Sequence, residues 1–323
     1  MKKLFNSVSF SAELIFGLLV FLLFLFSACR NVPVNKEEIP PSMVPALVFE
    51  KVEAEEPSRL ELFFNLEIKN PLPFAGWAIM ESWQARINGQ IAESGFSLDM
   101  SGNREYIDSE GFAIKAASSQ NGENPDAIPE LSIFPLRLSM DVDALAGQGL
   151  APADEYRVML ILDLAFFKAG ESRDSTSPAK FQVSGLAAFP GVQAPQFSIT
   201  SIAVIKAELV NTRFRVGLKI DNPNPYPVEL SAFNYELYGN GRLWADGIEK
   251  NIIKVNAKSS LQGNLFLIMN FINMKRDLLD QIINLEDVNY RFAGEAQVST
   301  GADYLPKFMS GFDLSGYSEV LEK

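Results

Sequence analysis

The sequence predicts an all-β fold: two tandem immunoglobulin-like or fibronectin III-like β-sandwiches, each with a short helix. Three observations point there. Leu62, Phe64, Leu66 and Ile68 recur at every second position, and so do Phe214, Val216, Leu218 and Ile220. That is the period of a strand with one face in a core. The two runs lie 152 positions apart, and the register holds without a gap for some 25 residues: Asn70-Pro71-Leu72-Pro73 faces Asn222-Pro223-Asn224-Pro225, Trp83 faces Tyr235, and Gly95 faces Gly247. Asn88-Gly89 and Asn240-Gly241 each read as a tight hairpin, because both central positions of that turn favour φ > 0.

A chain of 323 residues can bury two cores, and its 47% apolar content is that of a globular protein. The net charge of −12 argues against a nucleic-acid partner, whose affinity would come mostly from Lys and Arg on phosphates. It fits an acidic surface that keeps a protein dispersed. The chain has no histidine, which removes Ser-His-Asp and Cys-His nucleophile pairs, His bases and His-ligated zinc. Its one cysteine allows neither an intrachain disulfide nor a cysteine zinc site.

Along the chain, Lys2 and Lys3 come first, then an uncharged apolar run from Leu14 to Phe26. At ~1.5 Å per residue this run is too short for a bilayer core, which needs about 20 residues. A positive start, a short apolar run and small residues after it read as a secretory signal peptide over 1–28. Leu25-Phe26-Ser27-Ala28-Cys29 resembles the lipobox of bacterial lipoproteins. The resemblance implies cleavage between Ala28 and Cys29 and lipidation of Cys29. An uncleaved anchor helix is the alternative. Acyl chains contribute ~0.8 kcal/mol per buried CH₂, so several would hold the protein to a membrane. Residues 29–45, rich in proline and charge, read as an extended tether.

The first sandwich is expected over 46–190. Ile114-Lys115 resembles Ile253-Lys254, which implies 13 extra residues in the first copy. The polar stretch 118–130 reads as a surface loop and Asp141–Leu150 as a short helix. Phe181 to Gly185 resembles Phe308 to Gly311. Phe189–Pro195, FPGVQAP, suits a short linker.

The second sandwich is expected over 195–323, with strands near 198–210, 213–221, 231–239, 242–246, 251–256, 262–270 and 289–299. Residues 274–285 place Leu278, Leu279, Ile282, Ile283 and Leu285 on one stripe behind Asn273, a helix with a cap.

The string DNPNPYP ends a strand. Proline cannot donate to a ladder and pushes the residue before it toward extended geometry. The stretch therefore reads as a stiff crossover between sheets, in which Asn222 and Asn224 bond nearby backbone. The pattern of Asn222, Pro223, Asn224, Pro225 and Pro227, then Tyr235 to Asn240-Gly241, then Ala245-Asp246-Gly247, resembles the type 2 late embryogenesis abundant (LEA type 2, or WHy) domain. Ile253–Ser260 is similar to the next strand and turn of that family. Asn70, Pro71 and Pro73 carry the same motif more weakly; Leu72 stands where the second Asn would. The resemblance implies a small β-sandwich with a short helix, no catalysis, and a part in desiccation or stress protection.

Other candidates read as structural. Asp141 and Asp143 suit a helix start better than a catalytic pair. Asp303 falls in a turn. Glu53, Glu55 and Glu56 form a solvated cluster without a calcium-loop pattern. The 25 Phe fall mostly on strand positions and read as core. No catalytic residue, cofactor or metal site is predicted. The expected protein is an exported lipoprotein in the cell envelope, held to a bacterial membrane on its periplasmic side or outer surface and shielding other macromolecules. The rival is an envelope binding module for a lipid, glycan or protein, using an apolar groove. A hydrolase would need two carboxylates converging in a cleft.

Overall fold

In the strand Arg59–Asn70, Leu60, Leu62, Phe64, Leu66 and Ile68 are exposed by 2% or less, while the residues between them reach water. The same alternation builds both halves of the protein. The structure, a computed structural model, describes residues 45–70, 75–100, 107–108, 111–115, 130–168, 178–206, 211–270, 288–318 and 321–322. The signal peptide, Ala28, Cys29, Pro71, Pro73 and the helix expected at 274–285 lie outside the described residues, as do all but the last residue of the tether expected at 29–45, where Pro45 opens β1, and all but the last residue of the loop expected at 118–130.

In the first sandwich, one sheet runs in the order β1 (Pro45–Glu56), β2 (Arg59–Asn70), β8 (Glu130–Asp141) and β5 (Phe96–Asp99). The facing sheet runs β10 (Ala179–Pro190), β9 (Glu155–Lys168), β3 (Gly76–Ile87), β7 (Gly111–Ile114) and β6 (Ile107–Asp108), with β4 (Gln90–Ile91) also on β3. Helix α1 (Val142–Ala146) joins the sheets. Its N-cap is Asp141, whose Oδ1 accepts from the Ala144 N–H at 3.0 Å, and its Leu145 is fully buried in the core.

The second sandwich pairs a sheet in the order β16 (Ser259–Asn270), β12 (Asn211–Asn222), β11 (Gln196–Lys206) and β19 (Leu321–Glu322) with another in the order β14 (Arg242–Glu249), β13 (Val228–Gly239), β17 (Val288–Ser299) and β18 (Lys307–Ser318). β15 (Ile253–Val255) also pairs with β13. The order β1-β2-β8 thus recurs as β11-β12-β16, and β10-β9-β3 as β18-β17-β13. Each sandwich has its own apolar core.

The two halves share local devices. Asn88 and Asn240 both have φ near +50°, each followed by a glycine at positive φ. Each Asn Oδ1 also accepts from near the start of the neighbouring long strand of its sheet: from the Arg157 N–H of β9 at 3.0 Å and from the Asn289 N–H of β17 at 3.2 Å. β3 slips register against β9 and resumes at Ser82; β13 slips against β17 and resumes at Asn234, 152 positions on. The halves differ after these hairpins. In the first, the chain crosses to add β5 to β8. In the second, β14 stays beside β13 for eight residues.

Three sequence expectations change. Ile114 pairs with Gly76 and Val255 with Val228, so the equivalent of Ile114 is Val255, two residues past Ile253, and the first half carries 11 extra residues there in place of 13. Val183 pairs with Leu162 and Phe312 with Gly294, so Phe181 corresponds to Ser310 and not to Phe308. Both slips have one physical cause: a shift of two residues leaves the same faces buried, and alternation cannot detect it. Finally, Lys307–Ser318 is a full strand that the expected set lacked. Its Gly and Ser residues dilute the apolar period, while the ladder to β17 is complete. No helix among the described residues is long and apolar enough to cross a membrane.

Candidate functional site

The proline-rich crossover ends β12 at the junction of the two sandwiches. Asn222 is buried, and its Nδ2 donates to the carbonyls of Tyr226 (2.8 Å), Asn256 (3.0 Å) and Val255 (3.3 Å). Its Oδ1 accepts from the N–H and the Nδ2 of Asn224 at 3.0 and 2.9 Å. One side chain thereby replaces the ladder partners that Pro223, Pro225 and Pro227 cannot provide. In the first sandwich the buried Asn70 donates from Nδ2 to the Lys115 carbonyl at 2.9 Å, at the end of β7 as Asn222 does at the end of β15.

Asn224 does something the sequence did not reveal. It is fully buried, and its amide exchanges two 2.8 Å hydrogen bonds with the backbone of Gln193 in the segment joining the sandwiches. The Tyr226 hydroxyl donates to the Gly191 carbonyl at 2.9 Å. The Tyr304 hydroxyl donates to the Pro190 carbonyl at 2.8 Å. The Gly191 N–H donates to the Asp154 carbonyl at 2.8 Å, and Lys258 Nζ pairs with the Asp154 carboxylate. Gly191 is needed, because a Cβ there would lie 1.9 Å from the Ala153 oxygen. The linker expected at 189–195 is therefore held along its length, with Gly191 and Val192 buried.

Three tyrosines meet at this junction. Tyr304 packs against both cores, and its ring meets Phe189 edge-on at 5.6 Å; Phe189 in turn lies 5.7 Å from Tyr156. Burial, and then the Asp154 carboxylate, push the Tyr226 phenol up to about 12. Burial raises Tyr304 as well, with Tyr226 and Tyr156 adding to it. Tyr156 is raised by burial against a smaller opposing effect of the Ala153 backbone.

Beside the junction lies an open cleft of about 930 Å³. Glu53, Glu55, Glu56 and Glu61 line it with Arg59, Arg137, Tyr304 and Met309. Arg137 pairs with Asp99 and, at 3.2 Å, with Glu61. The solvated cluster of Glu53, Glu55 and Glu56 is thus exposed, as expected, and sits at this cleft. Among the described residues no group of three acidic or sulfur ligands could hold a metal. Asp141 caps α1, Asp143 lies in its first turn, and Asp303 lies in the turn before β18. Tyr226, Tyr304, Gln193 and Gly191 were missed by sequence reasoning. Only Tyr226, inside the proline motif, carried a signal.

A late embryogenesis abundant protein family, LEA_2, matches residues 217–303. None of the curated proteins matches the chain. Among solved structures, a protein from Archaeoglobus fulgidus is similar at 19% identity over 40% of this chain and 97% of that one, with a TM-score of 0.27. A candidate lipoprotein of Bacillus subtilis is similar at 16% identity over 38% of this chain and 37% of that one, TM-score 0.23. A calcium-binding mutant of Bacteroides uniformis beta-glucuronidase 2 is similar at 12% identity over 78% of this chain but 26% of the enzyme, TM-score 0.20. Likenesses this slight say nothing of activity. The match to the family model begins within β12, takes in the proline crossover, the Asn240-Gly241 hairpin and β17, and ends at the turn before β18, so it is to the second sandwich alone that the late embryogenesis abundant family is similar.

Proposed function

We propose that the protein is a non-catalytic, exported lipoprotein, anchored through Cys29, whose two sandwiches are LEA type 2 modules in tandem that shield other macromolecules under stress. The observation that carries this reading is how the family motif is used. Asn222 and Asn224 are buried, and each hydrogen bond they make goes to backbone or to one another. The most unusual residues of the chain therefore build a braced two-sandwich body. The chain carries a net charge of −12, and an acidic body repels its own copies and keeps bound clients dispersed.

The test is a heat- or drying-aggregation assay on a client enzyme with equimolar protein. Protection is expected, and its absence sinks the shielding role. Anchoring is tested apart: palmitate should label the parent and not Cys29→Ser, and an unlabelled parent refutes it. The acidic cleft of about 930 Å³ favours a second reading, an envelope binding module. Its four glutamates suit a cationic protein segment better than a lipid or an anionic glycan.

A further inference from the structure

The internal likeness of the sandwiches exposes one position where they differ in volume. In the first, Leu66 pairs with Phe134; in the second, Leu218 pairs with Gly263 at the same place between the same strands. Likewise Ala78 pairs with Phe112 and Leu230 with Ile253. Phe112 and Phe134 are buried to 2% and 1% exposure, with ring centroids 5.0 Å apart. The second sandwich has no ring at either position. A Cβ built on Gly263 meets nothing within 4 Å. A cavity of about 230 Å³ opens there, walled by Leu218, Ile220, Ile253, Leu261 and Leu265. Leu261 stands where the first sandwich has Ser132, but it is 38% exposed and leaves the mouth open. Glu249 and Asn264 edge the opening.

Gly263 is itself exposed on the edge strand β16, so this is an open notch at the rim of the sandwich, with Leu218, Ile220 and Leu265 as its apolar floor. An enclosed apolar cavity of about 150 Å³ lined by Leu, Ile and Phe takes up benzene, so the volume here suffices for one ring. We infer that the second sandwich carries a binding pocket for a monocyclic aromatic group, the group that Phe134 supplies from within in the first. The ring enters past Leu261 and stacks on Ile253 and Leu265 in the place of the missing side chain. A polar substituent on it points outward to Glu249 and Asn264. This site is independent of the shielding role and of the acidic cleft.

The experiment titrates the full chain, methyl-labelled at Leu and Ile, with p-cresol and with octanoate. Saturable p-cresol shifts confined to Leu218, Ile220, Ile253, Leu261 and Leu265 are expected. Gly263→Phe should weaken p-cresol binding by about tenfold or more, because the new ring fills the pocket. Gly263→Leu fills it with a smaller group and serves should the larger one prevent folding. Unmoved methyls in the parent overturn the proposal, and so does unchanged binding in both variants. Octanoate saturating these methyls more tightly than p-cresol overturns it too, since the occupant would then be an alkyl chain.

Discussion

The side-chain amide of Asn224 pairs with the backbone of Gln193 through two reciprocal hydrogen bonds of 2.8 Å, as one strand residue pairs with another. The partners are 31 positions apart, and the pair ties the end of β12 to the segment between the sandwiches. Replacing Asn224 by Ala strands the Gln193 N–H and C=O. Each buried group left unpaired costs about 1–3 kcal/mol, so a loss of about 3 kcal/mol is expected in urea unfolding. Asn224→Asp keeps the acceptor but loses the donor and buries a charge, and should cost at least as much. A change below about 0.5 kcal/mol in both would show that the pair does not brace the junction.

Tyr304 joins the sandwiches by a ring contact and a hydrogen bond, and the two can be separated. Tyr304→Phe removes only the bond to the Pro190 carbonyl and should cost about 1 kcal/mol. Tyr304→Ala also removes the ring from Phe189 and from both cores, and should cost about 3 kcal/mol. The second change should also split one unfolding transition into two, seen by calorimetry, as the sandwiches uncouple. Retention of a single transition would place the coupling elsewhere.

Alkaline pH should loosen this junction. The Tyr226 phenol is raised to about 12 in the folded protein, and Tyr304 and Tyr156 are also raised, against about 10 in an unfolded chain. Below pH 10 both states hold these protons and stability is independent of them. Above it the unfolded chain binds fewer protons than the folded one, so stability falls as pH rises, through pH 12 for Tyr226. Denaturant midpoints measured across that range should decline, and Tyr226→Phe should decline less steeply. A flat profile would mean that these phenols are not buried.

The fold was legible where the signal is local. Alternation at Leu62–Ile68 and Phe214–Ile220 needs only period two, and Asn-Gly needs only its own φ preference. Register was not legible after the insertions: the match of Ile114 to Ile253 misses Val255, which lies two residues on and on the same face. The junction was legible only in part. Asn222 and Asn224 announced local backbone bonding, but that Asn224 reaches Gln193 depends on how two sandwiches meet. In sequence Gly263 is one glycine inside the strand expected near 262–270. Its meaning came from pairing it, through the ladder, with Phe134 in the other half.

The two hairpin asparagines offer a test of how alike the halves are. Asn88 and Asn240 each combine a positive φ with a side-chain bond to the neighbouring long strand of the same sheet. Gly in their place keeps the backbone conformation and loses the bond, at about 1 kcal/mol. Ala loses the bond and also strains the turn, at about 2 kcal/mol or more. Asp keeps the acceptor and tolerates the conformation, and should cost least. The order Asp, Gly, Ala is expected at both positions in thermal or urea unfolding. The same order at Asn240 with a different one at Asn88 would show that the first hairpin is held by other contacts, and that the local likeness of the two sandwiches stops short of energetics.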